Sequence, residues 1–176
     1  MRQRITIIIG IAALALVATT AALAGTLTTT ATITGTSGIS LNAPATAAFS
    51  KVLDGTDQTA TYSPAIGIVD ARGTGAGWKL TVAATTFSDG THTLAPGTIT
   101  GATQACHAGS SCTAASNSIT GYPLTLGTTA ASVFNAALLS GLGQIDLTPT
   151  FSVAIPGNAY AGTYTSTVTL AATTGP

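Results

Sequence analysis

The chain contains no glutamate, and charged residues make up only 6% of its 176 positions. Beyond the first 24 residues, Lys51, Arg72 and Lys79 stand against Asp54, Asp57, Asp70, Asp89 and Asp146. Three cations cannot neutralise a phosphate backbone, which argues against nucleic acid as a partner. No basic amphipathic face exists to ride an anionic membrane. With carboxylates so scarce, a general acid and base would have to be two aspartates brought together by the fold. His92 and His107 have no serine, cysteine or acid at a nucleophile-motif spacing. These absences predict a protein that is not an enzyme and that carries no cofactor.

Cysteine is nearly absent too. Cys106 and Cys112 are the only pair, and they enclose His-Ala-Gly-Ser-Ser. In an exported chain so close a pair is expected to form a disulfide, worth about 2 kcal/mol for a loop this small. A metal site built on Cys106, His107 and Cys112 would need a fourth ligand, and no further Cys or His lies nearby in sequence. Asp54 and Asp57 in Asp-Gly-Thr-Asp look like a fragment of a calcium loop, but no glutamate closes it, so a surface turn is expected. No metal is predicted.

One long apolar run is present, at the start. Met1-Arg2-Gln3-Arg4 is a basic n-region, Ile5 to Val17 an apolar h-region, and Ala22-Leu23-Ala24 a small-residue cleavage site. Residues 1–24 therefore read as a signal peptide helix, removed to leave Gly25 as the mature N-terminus. An uncleaved anchor is the alternative. Thr19-Thr20 and the small residues that follow argue against it. The expected product is a secreted, extracellular chain with no stable membrane span after cleavage. Residues 25–176 suit a single domain, able to bury about two-thirds of its unfolded surface.

What fills this domain is Thr, Ala, Gly and Ser, with branched aliphatics and aromatics at a period of two. Disordered chains lack such recurrences. Threonine is β-branched and keeps an outer strand face wet without charge. Leu27, Thr29, Ala31 and Ile33 share one face of a predicted strand over residues 27–34. A second strand is expected near Ala47 to Leu53, ended by the turn at Asp54–Asp57, with Gln58 to Tyr62 pairing back as a hairpin. Ile66 to Val69 is short. Trp78 to Phe87 is the clearest, with Trp78, Leu80, Val82 and Ala84 on one face. Residues 89–132 are read as a long irregular excursion pinned by the disulfide, and Ser132 to Leu139 fits a helical turn or a strand equally. Ile145 to Val153 alternates well, with Pro149 marking an edge position or a bulge. Gly162 to Ala172 closes the chain, placing Tyr164, Val168 and Leu170 on one face. No helical periodicity appears after residue 24. The expected fold is all-β: an Ig-like antiparallel β-sandwich.

Residues 70–80, Asp-Ala-Arg-Gly-Thr-Gly-Ala-Gly-Trp-Lys-Leu, hold the only tryptophan and two of the few charges. Gly73, Gly75 and Gly77 permit a tight backbone, and no following helix makes them a nucleotide fingerprint. Gly77-Trp78-Lys79-Leu80-Thr81-Val82, with the stretch before it, resembles the first Trp-x-Leu motif of the WxL cell-wall-binding domain of Gram-positive bacteria. Tyr160-Ala-Gly-Thr-Tyr164 followed by Val168-Thr169-Leu170 resembles that domain's closing segment, with Val168 in place of the second tryptophan. The resemblance implies a non-covalent cell-surface module. Its partner would be peptidoglycan, another cell-wall polymer, or other exported surface proteins.

Five residues are the candidates for binding: Trp78, Leu80, Asp70, Arg72 and Tyr164. Trp78 offers a stacking platform for a sugar ring or an anchor for a partner. Its parity with Leu80 and Val82 favours the core instead. Asp70 and Arg72 suit either a polar ligand or a turn pinned through backbone groups, and the clustered glycines favour the turn. Tyr160 and Tyr164 suit an aromatic patch or a tyrosine corner. A different class of function is a structural subunit of a surface filament or coat, assembled through the N-terminal strand.

Overall fold

The computed structural model describes residues 30–176, which form eleven strands and no helix. The expected signal peptide and the start of the strand expected at 27–34 lie outside the described residues. In chain order the strands are β1 (Ile39–Asn42), β2 (Gln58–Tyr62), β3 (Ile66–Asp70), β4 (Trp78–Ala84), β5 (Phe87–Ser88), β6 (Thr93–Leu94), β7 (Thr98–Cys106), β8 (Leu124–Thr125), β9 (Ala131–Ala136), β10 (Gly143–Ile155) and β11 (Val168–Thr174). The larger sheet runs β1-β3-β10-β7-β8, with β2 also paired to β10; the smaller runs β11-β4-β9; β5 and β6 form a separate hairpin. Every named strand pair is antiparallel.

Alternation drives the assembly. Ile66 and Ile68 of β3, Ile145, Leu147 and Phe151 of β10, and Ile99 of β7 supply one layer of the core. Trp78, Leu80 and Val82 of β4, with Val133 and Phe134 of β9, supply the other. Burying each large side chain stabilises the fold by about 1.5–3 kcal/mol. Val133 and Phe134 are neighbours yet both buried, because the β4–β9 register shifts at Leu80/Thr81 and gives β9 an extra residue there. The all-β sandwich matches the periodicity of the sequence.

Several elements differ from expectation. Residues 47–53 form no strand; they belong to an extended connection between β1 and β2. Gln58–Tyr62 accordingly has no hairpin partner there and pairs with Ile155–Phe151 of β10. The irregular excursion contains β7, nine residues long and paired along most of β10. Ser132–Leu139 resolves into the end of β9 and a turn. Pro149 sits in a central strand rather than at an edge. On one side of β10, β3 pairs as far as Leu147 and β2 begins at Phe151; on the other side the ladder with β7 shifts between Thr150 and Phe151. A residue without an N–H fits this gap. The last strand begins at Val168, six residues later than expected.

Candidate functional site

The sandwich places the five candidate residues at two opposite ends. At one end β3 turns into β4 through residues 71–77. Gly73, Gly75 and Gly77 all have positive φ, at 69°, 65° and 68°. A side chain on Gly77 would strike the Ala136 carbonyl. The turn brings Arg72 back over Asp70. Arg72 donates from Nε to Oδ1 and from Nη2 to Oδ2 of Asp70, both at 2.8 Å. It also donates to the Gly77 carbonyl at 2.7 Å and to Thr174 Oγ1 at 2.8 Å. The Asp70 side chain is fully buried and that of Arg72 is 7% exposed. Hydrogen bonding from the guanidinium holds the Asp70 carboxyl below the usual carboxylate range and pushes Arg72 further up. The pair joins the end of β3, the glycine turn and the end of β11.

Trp78 follows directly. Its ring is completely buried, stacks on Phe134 with centroids 5.3 Å apart, and donates from Nε1 to the Gly141 carbonyl at 2.9 Å. Gly141 has φ +74° and stands against the indole, leaving no room for a side chain. Leu80 is also fully buried. Neither Trp78 nor Leu80 presents any surface to a ligand.

The other end of the sandwich opens into a groove of about 1050 Å³. Its floor lies between the sheets, where Tyr62 and Phe151 of the larger sheet face Val168 and Leu170 of the smaller. Residues 44–53 form one wall and residues 159–166 another. Aromatic rings run in series along it. Phe87 meets Phe49 edge to face at 5.8 Å, Phe49 stacks on Tyr62 at 5.4 Å, and Tyr62 stacks on Phe151 at 4.8 Å. Tyr160, 64% exposed, stands on the lining, and His92 stacks against it at 3.9 Å. Asp89 fixes His92 by accepting from the His92 and Thr91 backbone N–H groups and meeting Nδ1 at 3.0 Å. Those backbone donors hold the Asp89 carboxyl down at about 2. Tyr164 donates to the Tyr160 carbonyl at 3.0 Å, tying the wall together. Desolvation and then the Asp89 charge push its hydroxyl above the usual phenol range. Lys51 supplies a cation on the opposite wall.

Tyr164 is thus the one candidate residue that lines the groove, and it is far from the cluster of Trp78, Leu80, Asp70 and Arg72. Tyr160 and Tyr164 make a tyrosine-tied loop, apart from Trp78. Sequence reading missed Phe49, Tyr62, Phe87 and Phe151 as a group. Their shared signal was only that they are four of the chain's nine aromatics. Val168 lies on the groove floor with its small side chain. Elsewhere Cys106 and Cys112 are joined in a disulfide. His107 in its loop meets Asp146 at 2.9 Å on the surface.

The profile of the family described as WxL domain, surface cell wall-binding, matches residues 20–172. No curated protein and no solved structure matches the chain.

Proposed function

As the chain belongs to the WxL family of surface cell-wall-binding domains, we propose that it is an exported, non-catalytic module that holds peptidoglycan non-covalently in the aromatic groove. The half-buried rings of Phe49 and Tyr62, backed by the buried Phe87 and Phe151 and continued at the side by the exposed Tyr160, are the observation that carries this reading. Apolar faces of sugar rings stack on such surfaces, and pockets that combine apolar lining with a few polar groups are the usual ligand sites. Tyr164, Ser50 and Thr163 offer hydroxyls to the glycan, and Lys51 offers a cation to a stem-peptide carboxylate. Trp78, Leu80, Asp70 and Arg72 serve the site indirectly, by fixing the two sheets whose far ends form its floor. Cleavage after Ala24 would release the domain to the cell exterior.

Co-sedimentation with purified peptidoglycan tests this. Wild type is expected in the pellet. Tyr160→Ala, at an exposed position, removes one stacking ring worth about 0.5–1.5 kcal/mol and is expected to weaken binding about two- to tenfold with an unchanged circular dichroism spectrum. Wild type that stays in the supernatant while folded would refute the proposal.

A further inference from the structure

The two sheets differ in how their edges are finished. In the larger sheet β1, β2 and β8 have four, five and two residues, and β7, which β8 covers only at Thr98 and Ile99, is interrupted by the bulge opposite Thr150/Phe151. In the smaller sheet the outer side of β9 is covered: Ser118 donates to the Asn135 carbonyl at 2.9 Å and Ala137 to the Ser116 carbonyl at 2.8 Å. β11 is different. It runs seven residues, Val-Thr-Leu-Ala-Ala-Thr-Thr, in unbroken register with β4. It contains no charge, no proline and no bulge, the usual devices that blunt an edge. The bonds Thr85 N to Thr167 O and Gly175 N to Gly77 O, both at 3.1 Å, set the alternation of the ladder. Odd-numbered residues bond to β4. The N–H and C=O groups of Val168, Leu170 and Ala172 therefore point outward along the free edge.

The same chain carries a strand-like sequence pattern near its start. Residues 27–34 alternate, Leu27, Thr29, Ala31 and Ile33 against threonines. In the described part, residues 30–38 are all exposed and belong to no sheet, and Ile33 is 94% exposed. Eight residues extended span about 26 Å, enough to cover the roughly 23 Å of β11.

We propose that residues 27–34 of one copy add to the outer edge of β11 in a second copy. The second copy is favoured over the chain's own segment by direction. Thr36 donates to the Ala71 carbonyl at 2.9 Å, and Arg72 reaches Thr174, so the segment leaves its own domain at the C-terminal end of β11. Folding back, it could run only parallel to β11. A second copy is free to approach antiparallel, the more stable pairing. Inward parity then brings Leu27 and Ile33 beside the half-buried Val168 and Leu170. The contact joins two different surfaces, so it propagates into an open chain of copies rather than closing as a dimer. It rests on the β11 edge and the N-terminal segment rather than on the aromatic series, although Val168 and Leu170 also line the groove.

Sedimentation velocity of the chain beginning at Gly25, over a hundredfold concentration range, tests it. Wild type is expected to show oligomers that grow with concentration. Ile33→Asp alters only an exposed residue of the donor. Ala172→Pro removes one outward N–H from the acceptor without touching the β4 ladder. Each is expected to weaken association at least tenfold, with circular dichroism confirming the fold. An equimolar mixture of the two, which pairs one intact donor with one intact edge, is expected to restore dimers and nothing larger. A wild type that stays monomeric throughout, including one whose residues 27–34 become protected from hydrogen exchange as a monomer, would overturn the proposal. So would association that neither variant weakens.

Discussion

Trp78→Ala is expected to lower stability by about 3–5 kcal/mol, the range for truncating a large aromatic in a packed core. In a domain of this size that corresponds to a fall in melting temperature of about 10 °C or more. Two losses combine. The stack on Phe134 is replaced by a cavity, and the Gly141 carbonyl loses its indole donor. Thermal unfolding followed by circular dichroism reads the effect directly. The consequence for binding is conditional on folding. At a temperature where the variant remains folded, wall affinity is expected to be preserved, because the groove lies at the other end of the sheets. A folded Trp78→Ala protein that no longer binds the wall would show that the tryptophan end takes part in recognition.

Arg72→Ala is expected to cost a similar amount, about 3–5 kcal/mol, because it strands a fully buried carboxylate. Arg72→Lys rescues only part of this, since an ammonium cannot make the bidentate contact to Asp70 together with the bonds to Gly77 and Thr174. Acid acts on the same pair. The Asp70 carboxyl is depressed in the folded state, so its contribution is complete above the unfolded value near 3.9 and is lost as pH falls through the lower folded value. Asp54 and Asp89, each held at about 2 by hydrogen bonds, add to the same trend. Denaturant midpoints are therefore expected to be flat from pH 7 to about 5 and to decline below 4. In Arg72→Ala the decline attributable to Asp70 should disappear.

The parts of this fold that the sequence announces are those where bulky aliphatics alternate. β4 and β10 show their burial in every second residue, and the structure buries those residues. β7 escapes because Thr-Ile-Thr-Gly-Ala-Thr-Gln-Ala-Cys carries a single large aliphatic, Ile99, so a nine-residue strand has almost no periodic signature. The opposite error arises at residues 47–53. Phe49 and Leu53 turn partly into the groove while Val52 stays exposed, and no neighbouring strand is there to bond to. The turn-pinning role of Asp70 and Arg72 was legible because Asp70, Arg72 and Gly77 lie within eight residues; the bond from Arg72 to Thr174, 102 residues on, was not. The groove was not. Phe49, Tyr62, Phe87, Phe151 and the pair Tyr164 and Val168 come from five separate stretches of chain, and only the tertiary fold brings them together.

Hydrogen exchange of the chain beginning at Gly25, with and without soluble peptidoglycan fragments, locates the contact surface most directly. Slowed exchange confined to residues 44–53 and 159–166, with residues 70–78 unchanged, is the predicted result. Protection centred on residues 70–78, with the groove walls unaffected, would contradict the assignment of wall binding to the groove.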